Sequence, residues 1–185
     1  PVFFLPGALK EHGEQVAQGY AQSLMMGAGQ FCTNPGIAVL VEGDAVETFA
    51  VAAKTALGAS ARQTMLTDGI ASAYHDGTAR VAETAGVRTV LSTTCEGRSA
   101  TPYLFATTAM EWLTHAALGE EVFGPLGLII TATDKAEQMA VAKSFQGQLT
   151  CTIHMEDADL PDAQALLPVL ERKAGRILVN GFPTG

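Results

Sequence analysis

Ile37-Ala38-Val39-Leu40-Val41-Glu42-Gly43-Asp44-Ala45-Val46 decides the fold. Five consecutive apolar residues leave no polar face, the pattern of a strand covered on both sides. Gly43-Asp44 ends the run, and Asp44 is placed to cap a helix. The apolar residues Val46, Phe49, Ala50, Ala53 and Leu57 share one face of that helix until Gly58 stops it. A doubly covered strand handed directly to an amphipathic helix is the start of a β-α-β crossover.

The same alternation runs outward in both directions. Upstream, Val16, Tyr20, Leu24 and Gly27 recur at helical spacing with Ala17 and Ala21 beside them, which predicts one helix over 8–27. Downstream, a helix near 69–85 closes at Gly86 and leads into a strand at 88–91. A loop bearing glycine and serine (92–101) precedes an extended piece at 103–105. Strand-like residues 126–131 feed a helix capped by Thr133 or Asp134 and reaching Phe145. Residues 149–154 form another strand, 160–174 a helix closed by Gly175, and 177–180 a last strand. Without internal repeats or low-complexity linkers, this predicts a single α/β domain over 1–185, a mostly parallel open sheet flanked by helices.

Composition narrows the function classes. A chain of 185 residues with 48% hydrophobic content can bury one substantial core. A formal net charge of −8, a pI near 4.9 and scattered basic residues argue against nucleic acid as a partner. Three cysteines (Cys32, Cys95, Cys151) without CxxC spacing suggest neither a disulfide framework nor a zinc site, and suit a reducing cytoplasm. Residues 16–41 carry no charge and are long enough to cross a bilayer, but Gln18, Gln22, Gln30, Asn34 and Pro35 interrupt them. A soluble protein with no membrane partner is expected. The apolar opening Pro1-Val2-Phe3-Phe4-Leu5-Pro6 and the stop at Gly185 just after a strand suggest a piece of a longer protein.

Three segments could carry chemistry. Gly29-Gln30-Phe31-Cys32-Thr33-Asn34-Pro35-Gly36 sets a thiol on a loop between the 8–27 helix and the 37–41 strand. No charged side chain lies between Val16 and Val41, so a thiolate there needs backbone N–H groups, for which Thr33, Asn34 and Gly36 are available. On the residues alone, Cys32 reads either as a nucleophile or as a structural thiol. Cys151, inside an apolar strand, reads as structural, and Glu96 beside Cys95 disfavours a thiolate.

The second segment, Glu120-Glu121-Val122-Phe123-Gly124-Pro125, has a carboxylate two residues before an aromatic ring. Such a pair can bind a sugar diol while the ring meets a flat heterocycle, although acidic turns before a strand, with Phe123 in the core, are common. The third is Gly175 to Gly185, where a strand leads into a loop with Asn180 and Phe182, a substrate wall or a simple turn. His12, His75, His115 and His154 have no metal-ligand spacing, and GxSxG is absent.

Together and in this order, the segments resemble the catalytic domain of the aldehyde dehydrogenase superfamily. Gly29-Gln30-x-Cys32 with Glu121-x-Phe123-Gly124-Pro125 is the specific pair, and the likeness covers essentially the whole chain. Phe31-Cys32-Thr33-x-Pro35-Gly36 and Asn180-Gly181-Phe182-Pro183-Thr184-Gly185 look closest to the branch acting on α-ketoglutaric semialdehyde (2,5-dioxopentanoate). The resemblance implies that Cys32 is the nucleophile, passing through a thiohemiacetal and a thioester, with its own N–H in the oxyanion hole. It implies NAD or NADP as cofactor, with Glu121 on the nicotinamide ribose hydroxyls and Phe123 beside the nicotinamide. Gln30, Phe31 and Phe182 would line the substrate tunnel, with Arg98 and Arg176 as candidates for a distal carboxylate.

Family members run to greater length and, by the same resemblance, form homo-oligomers through a bridging arm. Their glycine-rich nucleotide domain, a second oxyanion donor and a water-activating glutamate fall outside this sequence. The chain alone is therefore expected to be nearly inert as a dehydrogenase. Two alternatives stand beside this reading: a cofactor-independent cysteine esterase or acyl-transferase, and a non-enzymatic α/β interaction module.

Overall fold

A computed structural model describes residues 1–94 and 96–183, so the reading of Cys95 and the end of the third segment, Thr184-Gly185, lie outside the described residues. The strands are β1 (Val2–Phe4), β2 (Ile37–Val41), β3 (Gln63–Thr64), β4 (Arg88–Leu91), β5 (Ser99–Ala100), β6 (Tyr103–Thr108), β7 (Leu126–Ala132), β8 (Gln148–His154) and β9 (Ala174–Val179). The helices are α1 (Pro6–Met25), α2 (Asp44–Gly58), α3 (Asp68–Glu83), α4 (Ala109–Thr114), α5 (Lys135–Ser144) and α6 (Leu160–Leu170).

Seven strands make one sheet in the order β4-β6-β7-β2-β1-β8-β9. Every neighbouring pair is parallel except β4–β6. The apolar run that decides the fold is central: β2 pairs with β1 on one side and β7 on the other. Its side chains alternate between two cores. Val39 joins Phe3, Phe105, Leu128 and Ile153 on one face, while Ala38 and Leu40 join Phe4, Leu104 and Ile129 under α1 and α2. Phe3 and Phe4 are both completely buried, on opposite faces, so β1 has no solvent side. At the far edge β9 pairs with β8 alone among the described residues, and Gly175, Arg176 and Val179 are exposed.

Several local expectations change. Asp44 is the first residue of α2 rather than its cap; Gly43 takes that position and no side chain bonds to it. Asp134 does cap α5, accepting the Glu137 N–H at 2.8 Å, while Glu137 reaches back to the Thr133 N–H. Helix α1 ends at Met25 because Gly27, Ala28 and Gly29 all take left-handed φ values, +57°, +59° and +67°. Helix α6 stops at Leu170, and β9 begins already at Ala174. Helix α4, with Thr108 as its cap, and the two-residue β3–β5 pair are too short to leave a periodic signal in the sequence. No helix of the described residues is long and apolar enough to cross a membrane.

Candidate active site

The Cys32 loop is built by a chain reversal. Three successive left-handed residues turn the backbone sharply at the end of α1, a conformation that costs an alanine about 1–2 kcal/mol. Neighbouring amides hold it. Gln63 accepts the Ala28 N–H at 2.7 Å and donates to the Met25 carbonyl at 2.9 Å. Asn34 donates from its side chain to the Leu24 carbonyl at 2.9 Å. The Asn34 N–H closes a turn onto the Phe31 carbonyl at 3.0 Å, so it is not free to support a thiolate. The two N–H groups inside that turn, of Cys32 and Thr33, meet no acceptor among the described residues. Cys32 is exposed and free.

Gly29 places this loop against the second segment. A Cβ there would lie 2.3–2.5 Å from the backbone of Gly124 and Pro125, so the two chains touch only because residue 29 has no side chain. Gly124 in turn lies under the Tyr74 ring, whose hydroxyl donates to the carbonyls of Thr101 (2.8 Å) and Pro125 (3.3 Å). Buried backbone contacts thus fix the distance between the Cys32 loop and residues 121–125.

The result is a cavity of about 390 Å³ at the amino ends of β1, β2, β7 and β8. Phe31, Cys32, Glu121 and Phe123 all line it, with Asn34 and Gln148. Glu121 is exposed and has no hydrogen-bond or ionic partner among the described residues, whereas Glu120 pairs with Arg80. Phe123 is half-buried. Among the described residues, no lysine or arginine lines the cavity. Arg98 is committed elsewhere, donating to the Met65 and Leu66 carbonyls at 2.7–2.9 Å, and Arg176 stands on the edge strand β9.

Two expected lining residues stand apart. Gln30 spans the loop, donating to the Gly27 carbonyl at 3.0 Å and accepting the Leu66 N–H at 2.8 Å, so its amide is a brace and not part of the wall. Phe182 does not line this cavity. It packs on Gly19 of α1 and on the rings of Phe4 (6.3 Å) and His154 (4.5 Å), at the carboxyl ends of β1 and β8. The reason is topological: β9 runs parallel to its neighbours and ends beside His154, after which the chain turns back along α1, the Pro183 carbonyl accepting the Ser23 hydroxyl at 3.0 Å. Asn180 is structural too, exchanging two hydrogen bonds with the Met155 backbone at 2.8 and 2.9 Å. Cys151 is buried in β8, and burial pushes its thiol pKa up.

The residues missed by sequence reasoning are Gln63 and Tyr74. Neither belongs to a motif, and each acts through long-range polar contacts with backbone groups distant in sequence.

No protein-family model matches the chain. Over 190 residues it is 43% identical to α-ketoglutaric semialdehyde dehydrogenase 2 of Azospirillum brasilense, and over 188 residues 37% identical to the α-ketoglutaric semialdehyde dehydrogenase of Acinetobacter baylyi. Both matches cover the whole chain, which spans 36% of the length of either relative. Among solved structures, NADP-dependent glyceraldehyde-3-phosphate dehydrogenase from Bacillus halodurans superposes with a TM-score of 0.82 at 17% identity, over all of this chain and 38% of that one. Succinic semialdehyde dehydrogenase from Streptococcus pyogenes gives 0.79 at 18% identity, over all of this chain and 41% of that one. At such identities the structural likeness speaks for the fold.

Proposed function

Because the chain belongs to the aldehyde dehydrogenase superfamily, we propose that it carries the thiol-bearing part of an active site that oxidises α-ketoglutaric semialdehyde, with NAD+ or NADP+ as oxidant. The observation that carries this reading is the convergence of Cys32, Glu121 and Phe123 on one cavity from segments some 90 residues apart.

The residues fit such a cofactor. A carboxylate without a partner stands at the cavity with a half-buried aromatic ring two residues on, suited to a ribose diol and a flat pyridine ring. NAD(P)+, when bound, supplies the hydride acceptor.

The chain's own part is acyl chemistry on sulfur. The Cys32 thiolate adds to the aldehyde carbon, forming a C–S bond and turning the carbonyl oxygen into an alkoxide. The unshared N–H of Cys32 is available to that oxygen. Loss of hydride from the same carbon leaves a thioester on Cys32. Water cleaves it, releasing the carboxylate and restoring the thiol. Sulfur serves both halves because it attacks well near neutral pH and leaves well from an acyl carbon. Phe31, over a third exposed at the mouth, forms an apolar wall for the substrate chain.

The test is reduced-nicotinamide formation from 2,5-dioxopentanoate by the full-length protein with NAD+ and with NADP+. Turnover is expected, and Cys32→Ala is expected to lower it by about a thousandfold or more. Full turnover by Cys32→Ala would remove the nucleophile from this reading. Hydrolysis of a simple ester without any nicotinamide, and no aldehyde oxidation, would favour the cofactor-independent esterase instead.

A further inference from the structure

We propose that Gln63 is a positioning residue for the Cys32 thiol; the inference rests on the nucleophile reading above. Its amide does two things at one place. The oxygen accepts the Ala28 N–H at 2.7 Å, and the nitrogen donates to the Met25 carbonyl at 2.9 Å. Met25 is the last residue of α1 and Ala28 is the non-glycine residue of the left-handed turn, at φ +59°. One side chain therefore stands in for the peptide partners that both groups lose when the helix reverses. Alanine is a strong helix former, and nothing in its own side chain favours the left-handed region. Without Gln63, the Asn34 amide on the Leu24 carbonyl is left to oppose another turn of α1 through Met25-Met26-Gly27-Ala28. Such a turn would carry Cys32 away from Gly124 and Pro125.

Gln63 is itself held in place. It sits on β3, paired with Ala100 of β5, and the next residues are tied down by Arg98. The Arg98 guanidinium donates to the carbonyls of Met65 and Leu66, and the Met65 N–H donates to the Arg98 carbonyl at 2.8 Å. Leu66 then donates its N–H to Gln30, two residues from Cys32. The 63–66 segment is thus a platform that grips the approach to the cysteine at two points, through the Gln63 amide at Met25 and Ala28 and through the Gln30 amide two residues before Cys32. Arg98, free of the cavity, serves this platform.

The experiment compares Gln63→Leu and Gln63→Glu in the full-length protein with the oxidation assay above. Leu keeps the bulk and removes both hydrogen bonds; Glu keeps an acceptor for Ala28 but sets a carboxylate against the Met25 carbonyl. For Gln63→Leu, kcat is expected to fall about 10- to 100-fold with KM within about twofold, since displacing a nucleophile by an ångström costs that much. Gln63→Glu is expected to lie between Leu and the parent. Parent-like kcat in a folded Gln63→Leu protein overturns the inference, as does a loss confined to melting temperature. If the Leu protein does not fold, parent-like kcat in Gln63→Glu overturns it alone. Cys32→Ala in the same assay separates the two ideas: activity without Cys32 sinks the nucleophile, whereas loss there with parent-like Gln63 variants sinks only the positioning role.

Discussion

The two ends of this parallel sheet are finished in different ways. At the amino ends, the Cys32 loop meets residues 121–125 backbone to backbone, with Gly29 against Gly124 and Pro125 and Gly124 under Tyr74. At the carboxyl ends, His154 and Phe182 are held by rings: His154 stacks on Phe4 at 5.0 Å and Phe182 covers both. Backbone contact leaves no slack, because there is no side chain to change rotamer. Ring packing distributes the contact over many atoms and tolerates adjustment. The rigid amino end presents an exposed thiol and the Glu121 carboxylate to its cavity, while the carboxyl end buries the His154 ring beside a second cavity that Asn180 and Phe182 also line. Precision is concentrated where the reactive groups stand.

The largest effect should come from breaking the rigid end. Gly29→Ala forces a Cβ to 2.3–2.5 Å from the 124–125 backbone at a position with φ +67°. Overpacking and left-handed strain together predict a loss of about 3–5 kcal/mol in chemical denaturation. Gly43→Ala is the matched control, since a Cβ there meets nothing within 4 Å; its cost should stay below about 1 kcal/mol. Equal stability of the two variants would mean that the 29–124 contact does not join the segments.

The same contrast explains what was legible in the sequence. The buried strands and the long helices announce themselves because continuous apolar runs and helical spacing are local properties. The Cys32 loop was visible as the joint between α1 and β2, and its partnership with Glu121 and Phe123 came from the paired motifs of a family. The left-handed turn was not visible, since alanine at position 28 speaks for helix and its conformation is imposed by Gln63 from 35 residues away. The place of Phe182 was not legible for a related reason. Its neighbours in sequence, Asn180 and Gly181, suggest a site loop, but only the parallel direction of β9 decides which end of the sheet it reaches.

The carboxyl end should break with acid. Burial among rings drives the His154 pKa down to about 4 from 6.5, and a hydrogen bond with the Gly181 backbone only partly offsets it. The folded chain therefore takes up its proton later than the unfolded chain does. Stability from this source is complete above about pH 6.5, falls as the pH drops toward 4, and levels off below that. The difference amounts to about 3 kcal/mol. His154→Phe should flatten that part of the stability-against-pH curve, and iodoacetamide labelling of Cys32 should be unchanged because the ring lies at the opposite end. An unchanged slope would show that His154 is not the titrating group, and altered labelling would show that the two ends are coupled.

The smallest effect should come from the surface charge pair beside the rigid end. Arg80 on α3 donates to the Ala117 carbonyl at 2.8 Å and pairs with Glu120, just before the segment that carries Glu121. Glu120 is about two-thirds exposed, so water and salt screen the pair and its expected contribution is below about 1 kcal/mol. Arg80→Gln should lower stability by no more than that, less in high salt than in low, and should leave Cys32 labelling unchanged. The buried contacts of Gly124 and Tyr74 hold the segment from inside, whereas Arg80 only trims its outer end. A loss as large as that of Gly29→Ala would reverse this order and make the ion pair, not the glycine contact, the fastening of residues 121–125.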